Sequence, residues 1–338
     1  MNTKAYKLHY KRLLDEGKIP AEFYDNLMAA IAEKGKMTHE IFNKNILEEL
    51  ERYRLFDVPA VPYSDKNSAK TDGTYVYLHR KNPFWYINHA ILSTVFKFIG
   101  WLGSGLVYGL WHFPRKLAKK FKGVGACFTT SNHVGYVDAV LTRRALGVKK
   151  QNIIAAPFNC KNDVGGAILR TATMLPLPSS LGGTHAFLEA LEYYKEKGSA
   201  MHFYAESCMW ARYRKPRPYK KGVYYYAVKL NVPIVPMFYG FKDTKGLRKL
   251  LGLAKAKIMV GDPIYPDETL PKLKRQADMA ERVERATREM YESFYGVPLE
   301  YLSEKEIDAE QADESANVEK LESVEPSENS EASAVTAE

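Results

Sequence analysis

The run Ser131-Asn132-His133-Val134-Gly135-Tyr136-Val137-Asp138 places a histidine and an aspartate with four residues between them, a candidate base and its orienting carboxylate. An imidazole held by a carboxylate keeps one tautomer and can accept the proton of an attacking alcohol, a contribution worth roughly 10²–10⁴-fold in rate. Positions five apart on a continuous α-helix are rotated by roughly 140° and face away from each other. His133 and Asp138 can therefore meet only if the histidine lies in a loop and the aspartate on the first turn of the helix that follows. Gly135 between them permits the bend. The spacing alone equally fits a histidine near a helix N-terminus and an aspartate that favours the helix dipole.

The flanking elements fit the first arrangement. Gly125-Ala126-Cys127-Phe128-Thr129-Thr130 reads as a short buried strand, and Ala139–Leu146 as a helix, so His133 falls at a strand-to-helix junction. Beyond it, strand-like runs alternate with helical ones. The strands are expected at 153–156, 174–177, 200–204, 233–237 and 257–260, and the helices near 184–197, 222–230 and 272–294. Such alternation predicts an α/β fold with a mostly parallel central sheet flanked by helices.

Charge is distributed unevenly. From Ser303 to Glu338 twelve acidic residues face two lysines, a net of −10, which leaves +19 on residues 1–302 of a chain whose net charge is +9. The acidic segment lacks aromatics and reads as a disordered tail. A body this basic calls for an anionic partner: a phosphate-bearing substrate, acidic lipid or nucleic acid. Nucleic acid would need aromatics interleaved with the cations, and only Tyr213 and Tyr219 qualify, so it is set aside. Cys127, Cys160 and Cys208 are too few and too scattered for a metal site or a disulfide framework. Residues 1–50 are polar and charged, without the pattern of a secretory signal.

Residues 1–80 read as a helical extension and linker, with a short strand at 74–78. From Phe84 to Phe113 the only formal charge is Lys97, and three of the four tryptophans occur here. Polar Asn88, His89, Ser93 and Lys97 recur opposite Ile87, Ile91, Val95 and Phe98, and glycines from Gly100 to Gly109 interrupt the run. Residues 81–123 are thus expected to hold two amphipathic helices broken near Gly103, a membrane-associating pair lying in one leaflet. The cluster Arg115, Lys116, Lys119, Lys120 and Lys122 follows, suited to anionic headgroups.

Four blocks in order carry a resemblance: Asn132-His133-x4-Asp138; the apolar stretch ending Met174-Leu175-Pro176-Leu177-Pro178; Phe203-Tyr204-Ala205-Glu206-Ser207; and Val232-Pro233-Ile234-Val235-Pro236. Together, over residues 122 to 266, they resemble the glycerophospholipid acyltransferases, whose best-known members acylate lysophosphatidic acid. The third block departs from the family text Phe-Pro-Glu-Gly-Thr-Arg-Ser: Glu206 is kept, while Ser207, Cys208 and Met209 replace Gly, Thr and Arg. The second block has Ser179 where the family has an arginine. Both missing arginines are positions the family uses for substrate phosphate.

The resemblance implies that His133 deprotonates an acceptor hydroxyl, Asp138 holds its imidazole, and Glu206 helps bind the acceptor. The donor would be acyl-CoA or acyl-carrier protein as co-substrate, with no cofactor, no metal and no acyl-enzyme. Six cations lie between Arg212 and Lys221, and Arg212, Arg214 and Lys220 are the candidates to take over the acceptor phosphate. The expected domains are the extension (1–80), the membrane-associating segment (81–123), an acyltransferase α/β domain (124–302) and the acidic tail (303–338). The expected activity is acylation of 1-acyl-glycerol-3-phosphate at the cytoplasmic face of the cell membrane, by a peripheral or monotopic enzyme. The alternatives are the same chemistry on another alcohol or amine, and a catalytically silent lipid-binding homologue.

Overall fold

A computed structural model describes residues 1–78, 82–111, 117, 119–135, 138–147, 150–172 and 174–305. The acidic tail from 306 onward, and Arg115 and Lys116 of the basic cluster, lie outside the described residues. Two units are present, Met1–Leu55 with Leu302–Glu338, and Phe56–Tyr301.

The first unit is helical: α1 (Thr3–Asp15), α2 (Ala21–Lys34), α3 (His39–Ile41), a π-helical stretch Phe42–Leu47, and α4 (Glu48–Arg52). Phe23, Leu27 and Ile31 recur at helical spacing along α2 and are fully buried, as are Tyr10, Leu13, Ile46 and Leu50, with Phe23 stacked on Tyr10. The returning segment is tied down by Leu302 N–H donating to Glu51 Oε1 at 2.6 Å and by the Lys305–Glu49 ion pair at 2.8 Å.

The second unit is built on a six-stranded sheet in the order β3-β2-β4-β1-β5-β6. The strands are β1 (Cys127–Thr130), β2 (Gln151–Ala155), β3 (Met174–Pro176), β4 (Ala200–Phe203), β5 (Ile234–Lys242) and β6 (Lys255–Val260). The first five run parallel, and β6 pairs antiparallel to β5. Side chains alternate across it as a doubly covered sheet requires. Phe128, Met201, Phe203 and Ile234 bury on one face, and Cys127, Ala200, Val235 and Met237 on the other. The covering helices are α6 (Asp138–Leu146), α7 (Val164–Ala172), α8 (Leu181–Glu196), α9 (Gly222–Leu230) and α11 (Lys272–Tyr295). A one-turn helix, α10 (Gly246–Leu250), sits in the turn between β5 and β6. The run at 74–78 is not a strand; Tyr75 and Tyr77 pack their rings against each other at 4.6 Å, and Tyr77 against Phe187.

A helical pair was expected where the chain forms one continuous helix, α5 (Pro83–Tyr108). Asn82 caps its start by accepting the Trp85 N–H, Pro83 occupies the first turn, and the end comes at Gly109, in the left-handed region with φ 70°. Gly103 does not break it. Gly100 and Gly105 are buried, and a Cβ on Gly105 would overlap the Trp111 ring, so Gly105 makes room for close packing. One face docks on the sheet domain: His89 Nδ1 lies 2.6 Å from the Thr171 carbonyl, and Ser93 donates to Ala172 O at 3.4 Å. Phe84, Ile87, Ile91, Phe98, Ile99 and Leu106 are exposed on the rest. By length and composition the helix is long and apolar enough to cross a bilayer. Of its polar residues, His89 and Ser93 are bonded to the sheet domain, while Asn88 and Lys97 stay exposed.

Candidate active site

The site forms where the central strands end. β1 and β4 are parallel neighbours with Thr130 opposite Phe203, so the residues after each emerge side by side at the carboxyl edge of the sheet. The chain crosses there from one side of β1 to the other, the position at which open α/β sheets present their ligand sites.

Asn132 fixes the loop after β1. Its Nδ2 donates to Tyr239 O at 3.0 Å and its Oδ1 accepts the Tyr239 N–H at 2.8 Å, so the buried amide pairs with β5 as another peptide group would. Trp210 N–H donates to His133 O at 3.0 Å and Arg212 N–H to Val134 O at 2.8 Å, which pins the far side of the loop.

His133 and Asp138 meet. Nδ1 of His133 is 3.1 Å from Oδ2 of Asp138, and the same oxygen accepts the N–H groups of Val134 at 2.6 Å and Gly135 at 2.9 Å. The carboxylate is fully buried at the first residue of α6, while the imidazole keeps 21% of its side chain exposed. A carboxylate only accepts, so Nδ1 carries the proton and Nε2 presents a lone pair outward. The imidazole stacks on Tyr204 at 4.0 Å between centroids and 22° between planes, which removes the remaining rotation.

Gly135 is required by space. A Cβ there would overlap the Tyr108 hydroxyl and lie 2.9 Å from Asp138 Oδ1. Oδ1 is buried and has no hydrogen-bond partner among the described residues. Tyr108, the last residue of α5, thus brings a hydroxyl beside the second carboxylate oxygen. Burial, and then the Asp138 charge, hold that phenol well above its usual range, so it remains a donor. Neither Tyr108 nor the Asn132 clamp is visible as a function in the sequence; both depend on contacts far along the chain.

His202 supports the site from beneath. It is fully buried, with Nδ1 2.9 Å from Thr129 Oγ1 and Nε2 3.3 Å from Ser131 Oγ, and its ring meets Tyr204 edge-on at 4.5 Å. Burial, with a smaller contribution from His133, pulls its pKa down to about 3. Below its ordinary value of 6.5 the unfolded chain takes up a proton that the native state refuses. Between pH 6.5 and about 3 this group should cost roughly 1.4 kcal/mol of stability per pH unit. Urea unfolding at several pH values should show that slope, and His202→Gln should flatten it; equal slopes would contradict a neutral buried histidine.

Glu206 was expected to touch the acceptor. Instead it is 2% exposed and committed to protein. Its Oε2 accepts the His133 N–H at 3.0 Å and Arg217 Nη2 at 2.8 Å, and its Oε1 accepts the Arg217 N–H at 2.8 Å. The missed residue is Arg217. It also donates to Phe56 O at 2.6 Å and to Cys208 O, and its guanidinium lies 4.5 Å over the Trp210 ring. Burial works to lower its pKa, but the Glu206 charge and Cys208 raise it overall. Pro216 and Pro218 on either side are the one local hint that this cation turns inward.

The remaining basic candidates are not gathered around His133. Arg212 lies nearest, through its backbone bond to Val134, but its guanidinium donates to Gly252 O at 2.5 Å. Arg214 pairs with Asp243 at 2.5 Å and Lys220 with Asp57 at 2.8 Å, both in largely exposed ion pairs. Cys208 is mostly enclosed and burial pushes its thiol up, which does not suit a nucleophile.

Ser207 adopts φ 71°, the left-handed region, at the position where the resembled family has glycine. Ser207→Gly is therefore expected to stabilise the fold by about 0.5–1 kcal/mol with activity retained. A lower urea midpoint for this variant would show that the serine hydroxyl, and not the backbone, matters there.

Comparison with known proteins places the site within a family match. Residues 107–240 match a family model described as Acyltransferase. No curated protein matches the chain. Seven chains of solved structures do. One is the crystal structure of the 1-acyl-sn-glycerophosphate (LPA) acyltransferase PlsC from Thermotoga maritima, at 15% identity and a TM-score of 0.37, covering 64% of this chain and 100% of that one.

Proposed function

We propose, from the match of residues 107–240 to an acyltransferase family model, that the chain transfers an acyl group from a thioester donor to the free hydroxyl of 1-acyl-glycerol-3-phosphate. The observation that carries the proposal is the His133–Asp138 pair at the carboxyl edge of the sheet, with the imidazole part-exposed and Nε2 without a hydrogen-bond partner among the described residues.

The acceptor hydroxyl donates to Nε2 and gives up its proton as its oxygen attacks the thioester carbonyl. The carbon–sulfur bond then breaks, and the imidazolium returns the proton to the departing thiolate. Acyl ester and free thiol are the products, and no group on the enzyme is acylated. Asp138 holds the correct tautomer and stabilises the imidazolium; Glu206 and Arg217 fix the His133 backbone and touch no reactant. We assign Arg212 to the acceptor phosphate, since it alone of the three basic candidates borders the His133 loop. Arg214 and Lys220 can exchange their exposed carboxylate partners for an anionic lipid at little cost.

The exposed apolar stripe of α5 supports association with one leaflet, as in a monotopic enzyme at the cytoplasmic face. A spanning helix would need apolar surroundings all round, whereas His89 and Ser93 are bonded to the sheet domain.

A different acceptor is favoured by one observation: Ser179 and Met209 stand where the resembled family has arginines. The test is to offer purified protein lysophosphatidic acid, glycerol-3-phosphate and a phosphate-free lyso-lipid with acyl-CoA, and then with acyl-carrier protein. Product from lysophosphatidic acid alone is expected. Product only from the phosphate-free lipid would transfer the chemistry to another alcohol, and no product with any pair would leave a lipid-binding protein.

A further inference from the structure

We infer that the turn between β5 and β6 is a second membrane contact, in which Leu247, Leu250 and Leu251 enter an anionic bilayer beside α5. The inference rests on the membrane-surface reading of α5.

Leu247, Leu250 and Leu251 are 68%, 82% and 60% exposed, three large apolar side chains within five residues. A soluble turn gains nothing from such a cluster, and contiguous exposed apolar surface marks a contact. The charge around it indicates which kind. Residues 242–257 hold six cations against one acid, Asp243, which is already paired with Arg214. Lys242, Lys245, Lys249, Lys255 and Lys257 are all exposed. Leucines ringed by lysines match a leaflet with acyl chains below and anionic headgroups above.

Arg248 does the opposite of its neighbours and turns inward. It donates to Leu106 O at 3.2 Å, Val107 O at 2.9 Å and Ala254 O at 2.5 Å. It thereby satisfies carbonyls that the last turn of α5 would leave open and fastens the turn to the helix end. The leucines are then held at the end of the stripe that Leu106 and Trp111 continue, both of them exposed. The same turn also reaches the active loop: Gly252 O accepts from Arg212, whose N–H donates to Val134 O. A bilayer contact here would set the headgroup layer close to the mouth of the His133 site.

The experiment is partitioning of the full chain into phosphatidylcholine vesicles with and without phosphatidylglycerol. The variants are L247S/L250S/L251S, K245E/K249E, and F84S/I91S/F98S as the α5 control. These substitutions lie on exposed side chains, and circular dichroism checks the fold. The leucine triple should lose roughly 10-fold or more in partitioning to both vesicles. The lysine pair should lose at least about 10-fold on anionic vesicles only, an effect that added salt erases. If the α5 control loses binding while the leucine triple binds as wild type, the turn is no membrane contact and the reading of α5 stands. If both bind as wild type, the membrane-surface reading falls with it. If the lysine pair impairs transfer from acyl-carrier protein with vesicle binding unchanged, the turn docks an acidic protein and the inference is overturned.

Discussion

Arg217→Met is expected to destabilise the second unit by about 3–5 kcal/mol, the usual cost of stranding a buried charge. The guanidinium meets Glu206 with its own side chain 0% exposed and that of Glu206 1% exposed, so neither charge has water to fall back on. Its loss would also free the carbonyls of Phe56 and Cys208. Arg217→Lys should rescue little, because an ammonium cannot reproduce the forked contacts to Glu206, Phe56 and Cys208 together. The double variant E206Q/R217M should be more stable than R217M alone. A neutral glutamine oxygen can still accept the His133 N–H, while the uncompensated charge is gone. Urea unfolding of the three variants measures the coupling. A double variant no more stable than the single would remove Glu206 and Arg217 as a charge pair.

Asp138→Asn is expected to lower acyl transfer by roughly 10²–10⁴-fold with little change in the fold. The asparagine oxygen can keep the two backbone N–H bonds of Val134 and Gly135 that shape the turn. It cannot also offer the imidazole a full negative charge. His133 would lose both the preference for a proton on Nδ1 and the partner that stabilises its charged form. The effect should appear in kcat, since Asp138 touches no substrate, and KM should move little. A large rise in KM with kcat unchanged would mean that the carboxylate shapes the binding site and leaves the proton to another group.

The dyad was legible because its physics is local. Five residues apart, a strand before and a helix after leave His133 and Asp138 one way to meet, and the structure adopts it. The parallel sheet was legible for a similar reason: each strand is a short apolar run between helical ones. What failed depended on distant partners. Glycines near 103 read as a helix break, because the Trp111 ring that fills the space beside Gly105 cannot be foreseen from the helix alone. Tyr75 and Tyr77 alternate as a strand would, yet they spend that alternation on each other and on Phe187. Within the basic run, composition could not tell which cation turns inward. Arg212 donates to the Gly252 carbonyl and Arg214 to the exposed Asp243 carboxylate, whereas Arg217 closes on Glu206 eleven residues back. Glu206 itself follows a strand at the active edge, which suits a ligand contact and a loop anchor equally well. Only the His133 N–H, brought opposite by β1, assigns it to the second role.

The rate of phosphatidic acid formation from lysophosphatidic acid and acyl-CoA, followed by mass spectrometry for wild-type protein and His133→Ala in the same vesicles, tests base catalysis by His133 most directly. Wild type is expected to form the product with one free thiol released per ester, and His133→Ala to fall by roughly 10²–10⁴-fold while remaining folded and bound to vesicles. Equal rates for the two proteins would contradict a role for His133 in the proton transfer.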